Sequence, residues 1–208
     1  AGTDEDSGSQ ADLALDNSHV TANGGDVTLT AADSISLQRA STVVAHDDLT
    51  ADAQAGDLTL IQNSTLAAHN GQVDLDAGNR VSFTDSSATA ATDMTVDATD
   101  ADIALNNSHA TAGTDLSLKA GTDITLSDSP QPGATGSTLS AQTGNLSLNA
   151  GANIALDSAS SGVAQGDVTA NAATGDLTVI EQSKLLAQTG QMDLDLSLIH
   201  ISEPTRPY

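Results

Sequence analysis

Two histidines, His46 and His69, are the residues best spaced to bind a transition metal. Each follows the alanine of a short apolar segment, in VVAH and LAAH. If those segments are strands in neighbouring turns of a repeat, the two imidazoles lie about 4.8 Å apart on the outside of a sheet and could hold a metal ion. Only Asp47 and Asn70 stand beside them, which leaves the ligand set incomplete. We therefore assign no metal site and no cofactor, and keep His46 and His69 as candidates only.

Aspartate recurs at the starts of predicted strands in neighbouring repeats. The pairs are Asp26 and Asp48, Asp93 and Asp115, and Asp102 and Asp123. Stacked carboxylates can bind calcium, but the sequence lacks the glycine-rich nonapeptide of calcium-binding β-rolls. We predict that these side chains instead accept hydrogen bonds from N–H groups at corners of the fold. Asn17, Asn63 and Asn107, each followed by a serine, are predicted to form turns.

A repeat of about 22 to 23 residues positions all of these side chains. Its clearest copy, Asp57 to Gly78, contains three short alternations of apolar and polar residues separated by Asn and Gly. Alternation with a period of two indicates strands, and the Asn and Gly residues between them indicate tight turns. The first inward residues of successive copies are predicted to be Leu13, Ile35, Leu58, Val81, Ile103, Ile124, Ile154 and Leu177.

The second and third strands of each copy recur with the same spacing along the chain. The predicted inward pair of the second strand is Val43 and Ala45 in the second copy, and Ser161 and Val163 in the seventh copy. In the third strand, a small residue follows each inward pair: Ala31, Ala53, Ala77, Ala98, Ala120, Ala150 and Ala172.

This pattern predicts an all-β fold, a parallel β-helix of about eight coils with three short strands per coil, because three strands cannot bury an apolar face without copies stacked on them. Residues 11–195 are predicted to form the coils, and residues 1–10 the end of a preceding coil and an acidic corner loop. The repeat breaks at Leu196, where an alanine is expected. Residues 196–208 resemble a translated sequencing adapter, and we interpret them as a non-native tail.

The coils carry a family resemblance. The stretches AGTDLSLKAGTDITLSDS (Ala112 to Ser129) and TGNLSLNAGANIALDS (Thr143 to Ser158) resemble the haemagglutinin repeats of filamentous-haemagglutinin-like exoproteins. These are large secreted proteins of Gram-negative two-partner secretion systems, and they include adhesins and contact-dependent growth-inhibition toxins. The resemblance covers Ala11 to Asp195 and implies a right-handed β-helix at the cell surface. It also implies an outer-membrane transporter as the partner during export, and contact with a host or neighbouring cell through parts outside this chain.

Composition limits the other partners. The chain has 28 acidic and 5 basic residues, a formal net charge of −23. The charge argues against nucleic acid and anionic membrane surfaces as partners, because residues that neutralise phosphates are few. No apolar run approaches the roughly 18 residues of a transmembrane helix, so no membrane insertion is expected. The chain has no cysteine, which agrees with export as an unfolded chain.

One connection is longer than its counterparts. The segment Ser127 to Thr138, SDSPQPGATGST, contains Pro130 and Pro132 and is predicted to form a loop that leaves one corner. Insertions in solenoids are often binding sites, and a longer connection at an exposed corner is also tolerated without a binding role. We therefore take this loop, with Ser127, Pro130, Pro132 and Thr138, as the candidate binding loop.

The sequence favours a structural stalk segment of a filamentous adhesin, and the stalk of a growth-inhibition toxin carrier is the nearest alternative. A polysaccharide-acting enzyme is a further alternative, but Arg39, Arg80, Lys119 and Lys184 are scattered and tryptophan is absent. Such enzymes need clustered carboxylates beside a basic residue, so we assign no catalytic residue. An ice-binding solenoid is the last alternative, and the charges on the outward columns of the third strand argue against it.

Overall fold

In the computed structural model, residues 11–128 and 136–196 are described, and they form 24 β-strands. The first strands of the coils form sheet A, which consists of β1 (Leu13–Asp16), β4 (Ile35–Gln38), β7 (Leu58–Ile61), β10 (Val81–Thr84), β13 (Ile103–Asn106), β16 (Ile124–Ser127), β19 (Ile154–Leu156) and β22 (Leu177–Val179). The second strands form sheet B, which consists of β2 (His19–Thr21), β5 (Thr42–Ala45), β8 (Thr65–Ala68), β11 (Ser87–Ala90), β14 (His109–Ala112), β17 (Thr138–Ala141), β20 (Ser161–Ala164) and β23 (Lys184–Ala187). The third strands form sheet C, which consists of β3 (Val27–Ala31), β6 (Leu49–Ala53), β9 (Val73–Ala77), β12 (Met94–Ala98), β15 (Leu116–Ala120), β18 (Leu146–Ala150), β21 (Val168–Ala172) and β24 (Met192–Leu196).

Each strand between the first and last described coils pairs in parallel with the strands three before and three after it in the chain, and the strands of those two coils pair on one side. The chain therefore winds through sheets A, B and C once per coil, and eight coils stack into a β-solenoid. The predicted fold class is confirmed. The described part of the chain contains no helix that could span a membrane.

The core consists of stacked columns of like side chains. The column predicted to begin at Leu13 is confirmed, because Leu13 pairs with Ile35, Ile35 with Leu58, and the register continues to Leu177. Phe83 is 1% exposed in sheet A, between Leu60 and Leu105. The column of third-strand alanines is also confirmed and buried from Ala31 to Ala172. Small side chains are accommodated where the chain turns from sheet C toward the next coil.

The prediction for the second strand of coil seven is wrong by one residue. Gly162 and Ala164 face inward and pair with Leu139 and Ala141, whereas Ser161 and Val163 face outward. The apolar valine does not decide the register, because neighbouring leucines already fill the space. A Cβ at Gly162 would lie 2.7 Å from Leu185 Cδ2 and 2.9 Å from Leu146 Cδ2.

The last coil has no described coil stacked on it. Met192 and Leu194 occupy inward positions of β24 yet are 44% and 42% exposed. Leu196 pairs with Ala172 and packs against the core, so the strand runs one residue past the predicted end of the coils at 195. The predicted corner loop at residues 1–10 and the rest of the predicted tail, residues 197–208, lie outside the described residues.

Candidate functional site

The three corners of the coil differ in how they connect neighbouring coils. We call them the A–B, B–C and C–A corners after the sheets they join. At the B–C and C–A corners, a carboxylate or amide oxygen of one coil accepts a hydrogen bond from the backbone N–H of the equivalent residue in the next coil. Asp26 Oδ1 accepts from Asp48 N at 3.0 Å, and Asp102 Oδ1 accepts from Asp123 N at 3.2 Å. We call these two rows the Asx seams.

The Asx seams confirm the predicted capping role of the six recurring aspartates: Asp26, Asp48, Asp93, Asp115, Asp102 and Asp123 accept from Asp48 N, Gln72 N, Asp115 N, Asn145 N, Asp123 N and Asn153 N. The capped N–H belongs to the following coil, so the side chains join coils as well as closing corners. Each of these carboxylates therefore already accepts a hydrogen bond from the backbone.

Two seam carboxyls show the electrostatic result of this engagement. The hydroxyl of Thr114 and then the N–H of Asp115 donate to Asp93 and lower the pKa of its carboxyl. The hydroxyl of Thr122 lowers the pKa of Asp102 most, and the Asp123 N–H and the Arg80 guanidinium, at 3.1 Å, add to the effect. The ionised form of each is therefore stabilised by the fold.

Carboxylates on the outer face of sheet C have the opposite environment. Asp52, Asp76 and Asp97 stack in successive coils, with Asp74 beside them. Partial burial, and then the charges of neighbouring aspartates, raise the pKa of the Asp74 and Asp76 carboxyls. Lys119, whose Nζ lies 2.7 Å from Asp97 Oδ2, partly offsets this for Asp76. We call these four aspartates the acid column.

The A–B corner is built on a buried row of serines, which we call the serine seam: Ser18, Ser41, Ser64, Ser86, Ser108, Ser137, Ser160 and Ser183. The six from Ser41 to Ser160 are buried. Ser108 illustrates the pattern, because its hydroxyl donates to Asn106 O at 2.8 Å and accepts from Ser86 N at 3.1 Å. The polar atoms of a buried corner are thereby satisfied.

Our sequence reasoning missed the serine seam, although the signal is present. A serine stands two residues before the first inward residue of the second strand in all eight coils. The sequence prediction used the serines only where they follow Asn17, Asn63 and Asn107. Counting from Ser160 would have placed Gly162 inward and corrected the register of coil seven.

The residues just before the seam serines bend the chain through left-handed backbone conformations. Asn17, Asp85 and Asn107 have φ of 47°, 50° and 47°, and the two residues Gln62 and Asn63 have 58° and 62°. Asn and Asp tolerate this region better than most residues. The predicted turn-forming role of the three asparagines is confirmed.

A groove of about 300 Å³ lies along this corner in coils three to five. It is lined by Asn63, Ser64, Thr65, Asp85, Ser86, Ser87, Asn107 and His109. Asn107 Nδ2 donates to Asp85 Oδ1 at 2.7 Å, and the hydroxyl oxygens of Thr65 and Ser87 lie 3.4 Å apart. We call it the corner groove. The sequence did not reveal it, because its residues come from three repeats.

The candidate binding loop leaves the same A–B corner one coil further along. Ser127 is the last residue of β16 and Thr138 the first of β17, so both belong to strands and not to the loop. The Ser137 hydroxyl donates to Ser127 O at 2.7 Å and closes the base of the connection. Thr138 pairs with His109 of the corner groove. Pro130 and Pro132 lie outside the described residues.

The two candidate histidines follow equivalent alanines, Ala45 and Ala68, in adjacent coils. His46 Nδ1 lies 2.8 Å from Asp47 Oδ1, and Asn70 Nδ2 lies 3.2 Å from His46 Nε2. Among residues 11–128 and 136–196, no three His, Cys, Asp or Glu side chains form a group that could hold a metal ion.

Three basic residues each face an aspartate of an adjacent coil. Arg39 pairs with Asp16 at 3.0 Å, and Arg80 and Lys119 pair with Asp102 and Asp97. These cations are therefore spread along the rod as single ion pairs.

Comparisons with protein-family models, with curated proteins and with solved structures find no match for this chain.

Proposed function

We propose that this chain is a stalk segment of a large secreted exoprotein displayed on the surface of a Gram-negative bacterium, of the filamentous-haemagglutinin-like kind. The observation that supports this most directly is the uniformity of the eight coils, each joined to the next by the same three sheets. Eight coils at about 4.8 Å give a rod roughly 38 Å long. Such a rod extends in proportion to the number of coils and needs no central pocket.

The contacts between coils support a rod that folds progressively outside the cell. Strands pair only with strands of the neighbouring coils, and the seams also join neighbours. Structure can therefore spread from coil to coil once one end has folded. The chain has no cysteine whose oxidation would block export as an unfolded chain. We propose an outer-membrane transporter as the partner in that step.

An adhesin stalk and a toxin-carrier stalk need the same properties in this segment, so both remain proposals. We propose no catalytic role, because Asp93 and Asp102 are engaged in the seams and the paired cations each face a single aspartate. A glycan-cleaving site would need an acid and a base that are free to act together.

Deleting one whole coil tests the proposal. Asp102 to Thr122 is one complete coil, because Asp102 and Asp123 are equivalent. Its removal should shorten the rod by about 5 Å in small-angle X-ray scattering, with β-rich circular dichroism retained and export through a cognate transporter little changed. The matched control removes Asp102 to Ala112, about half a coil, and should lose both structure and display.

Two results would contradict the stalk proposal. One is a whole-coil deletion that unfolds the chain as severely as the half-coil deletion. The other is a polysaccharide hydrolase or lyase activity of the purified chain that the coil deletion abolishes.

A further inference from the structure

The corner groove is a trough that runs parallel to the rod axis. One wall consists of Asn63, Asp85 and Asn107, each of which directly precedes a seam serine in successive coils. The other wall consists of Thr65, Ser87 and His109, which are register partners in sheet B. Three coils span about 10 Å between the first and the third residue of each wall.

The floor of the trough is already satisfied and does not need a ligand. The Ser64 and Ser86 hydroxyls donate to Ile61 O at 2.7 Å and Thr84 O at 2.9 Å. The walls are different. Within the described residues, the Asn63 side chain makes no hydrogen bond, and Asp85 uses one carboxylate oxygen for Asn107 and leaves the other unused. Donors and acceptors therefore line both edges of the trough above a closed floor.

These groups define the chemistry of a ligand. Carboxylate, amide and hydroxyl groups in two rows suit a molecule that carries hydroxyls along both of its edges. An anionic ligand is disfavoured by Asp85 and by the net charge of −23. An extended peptide would need free strand edges, but the backbone of β8, β11 and β14 is paired on both sides.

We infer that the corner groove binds a neutral oligosaccharide, with about two sugar rings lying along the rod axis between the two walls. Asp85 accepts from sugar hydroxyls, and Asn63 and Asn107 donate to them. The exposed His109 borders the open end that faces coil six, where the candidate binding loop emerges. Such a site goes beyond the spacer role, which needs no ligand.

The probes are three neutral disaccharides that differ in linkage or in the non-reducing sugar, namely cellobiose, maltose and lactose, each titrated to about 50 mM into the isotopically labelled full chain. At least one should cause saturable amide shifts in two-dimensional nuclear magnetic resonance spectra, at Asn63, Thr65, Ser87, Asn107 and His109. A sulfated disaccharide should cause none, because of the negative charge of the site.

Glycine variants separate binding from folding. Asp85→Gly and Asn107→Gly remove the side chains while keeping a residue that accepts positive φ, and each should weaken binding at least tenfold. Asn17→Gly is the matched control, because Asn17 has the same φ of 47° as Asn107 but lies outside the groove. Its affinity should stay within twofold of the parent chain.

The inference is overturned if none of the three disaccharides gives saturable shifts at the groove. It is also overturned if Asp85→Gly binds as well as Asn17→Gly, or if the sulfated disaccharide binds best. None of these results would affect the coil-deletion test of the stalk proposal, since that test involves no ligand.

Discussion

The carboxylates of the Asx seams and those of the acid column are the same chemical group in two opposite environments. In the seams, each carboxylate accepts an N–H from the next coil, and the pKa values of Asp93 and Asp102 are lowered. In the acid column, Asp52, Asp76 and Asp97 stack in successive coils with Asp74 beside them, and partial burial, followed by the neighbouring charges, raises the pKa values of Asp74 and Asp76. In a solenoid, every residue meets its own equivalent one coil away. A column of carboxylates is therefore stabilised where hydroxyl and backbone N–H groups donate to it, as they do at Asp93 and Asp102.

The largest effect should come from a carboxylate placed in a third environment, the inside of sheet C. Leu118 is fully buried and stacks between Val96 and Leu148. Leu118→Asp should reduce the free energy of unfolding by about 3–5 kcal/mol, because a buried charge has no partner there. The control, Ser117→Asp, points outward and should cost about 0.5 kcal/mol or less. Equal urea midpoints for the two variants would disprove the inward and outward assignment.

A seam carboxylate should come next. Asp102→Ala removes the acceptor of the Asp123 N–H and of the Thr122 hydroxyl, and should cost about 1–3 kcal/mol in urea unfolding at pH 7. Asp102→Asn keeps an acceptor oxygen, as Asn153 does two coils along, and should cost less than half as much. If both variants are as stable as the parent, the hydrogen bonds that Asp102 accepts do not stabilise the stacking of one coil on the next.

The two regions should respond to pH with opposite signs. Folding raises the pKa of Asp74 and Asp76 above the ordinary value of 3.8, so their ionisation opposes folding above the raised pKa, and this penalty disappears as pH falls toward 3.8. The double variant Asp74→Asn/Asp76→Asn should therefore have a larger free energy of unfolding than the parent at pH 7, by about 0.5 kcal/mol or less after solvent screening, and a higher melting temperature. It should lose this advantage below about pH 4.

Asp93 supplies the contrast. Its lowered pKa stabilises the fold above the ordinary value of 3.8, and that stability is lost as pH falls through the lowered pKa. Asp93→Asn should therefore lower the melting temperature at pH 7 and have a smaller effect in strong acid. Parallel pH profiles for the Asp74/Asp76 and Asp93 variants would contradict the assigned environments.

The smallest effect should come from Lys119, a cation beside the acid column. Lys119→Gln removes the charge 2.7 Å from Asp97, but the lysine side chain is 64% exposed. We expect a loss of about 0.5 kcal/mol or less, and no measurable difference from the parent in 1 M NaCl, where the screening length is about 3 Å. A loss that persists in high salt would show that Lys119 acts through packing and not through charge.

The sequence predicted most of the columns, since apolar residues that recur with a fixed period can be aligned without knowing any contact. It failed where the side chain in a column is not apolar. At Gly162 the side chains of Leu146 and Leu185 fill the space inside the coil, so apolar periodicity alone passes over the glycine and selects Val163 instead. The serine seam is polar and buried, and a search for apolar periodicity passes over it.

The corner groove was beyond the reach of the sequence for a different reason. Its walls depend on the left-handed conformations of Asn63, Asp85 and Asn107 and on the side-by-side placement of three coils. The sequence shows the insertion after β16 as a connection longer than those of the other coils, but it does not show at which residues the insertion begins and ends. Ser127 and Thr138 read as loop residues by composition, and only the pairing with neighbouring strands shows that they are strand residues.

The orientation of the three sheets has a mechanical consequence. Strands run across the rod, so the backbone hydrogen bonds between coils point along it. A pull on the two ends loads all the interfaces in series, and they break one at a time. We expect the rod to peel coil by coil under tension. Each released coil of about 22 residues would add about 70 Å of extended chain in place of about 5 Å of rod. Single-molecule pulling should show a series of small, evenly spaced steps. A protein built in this way would yield gradually under shear and shorten again when the load is removed.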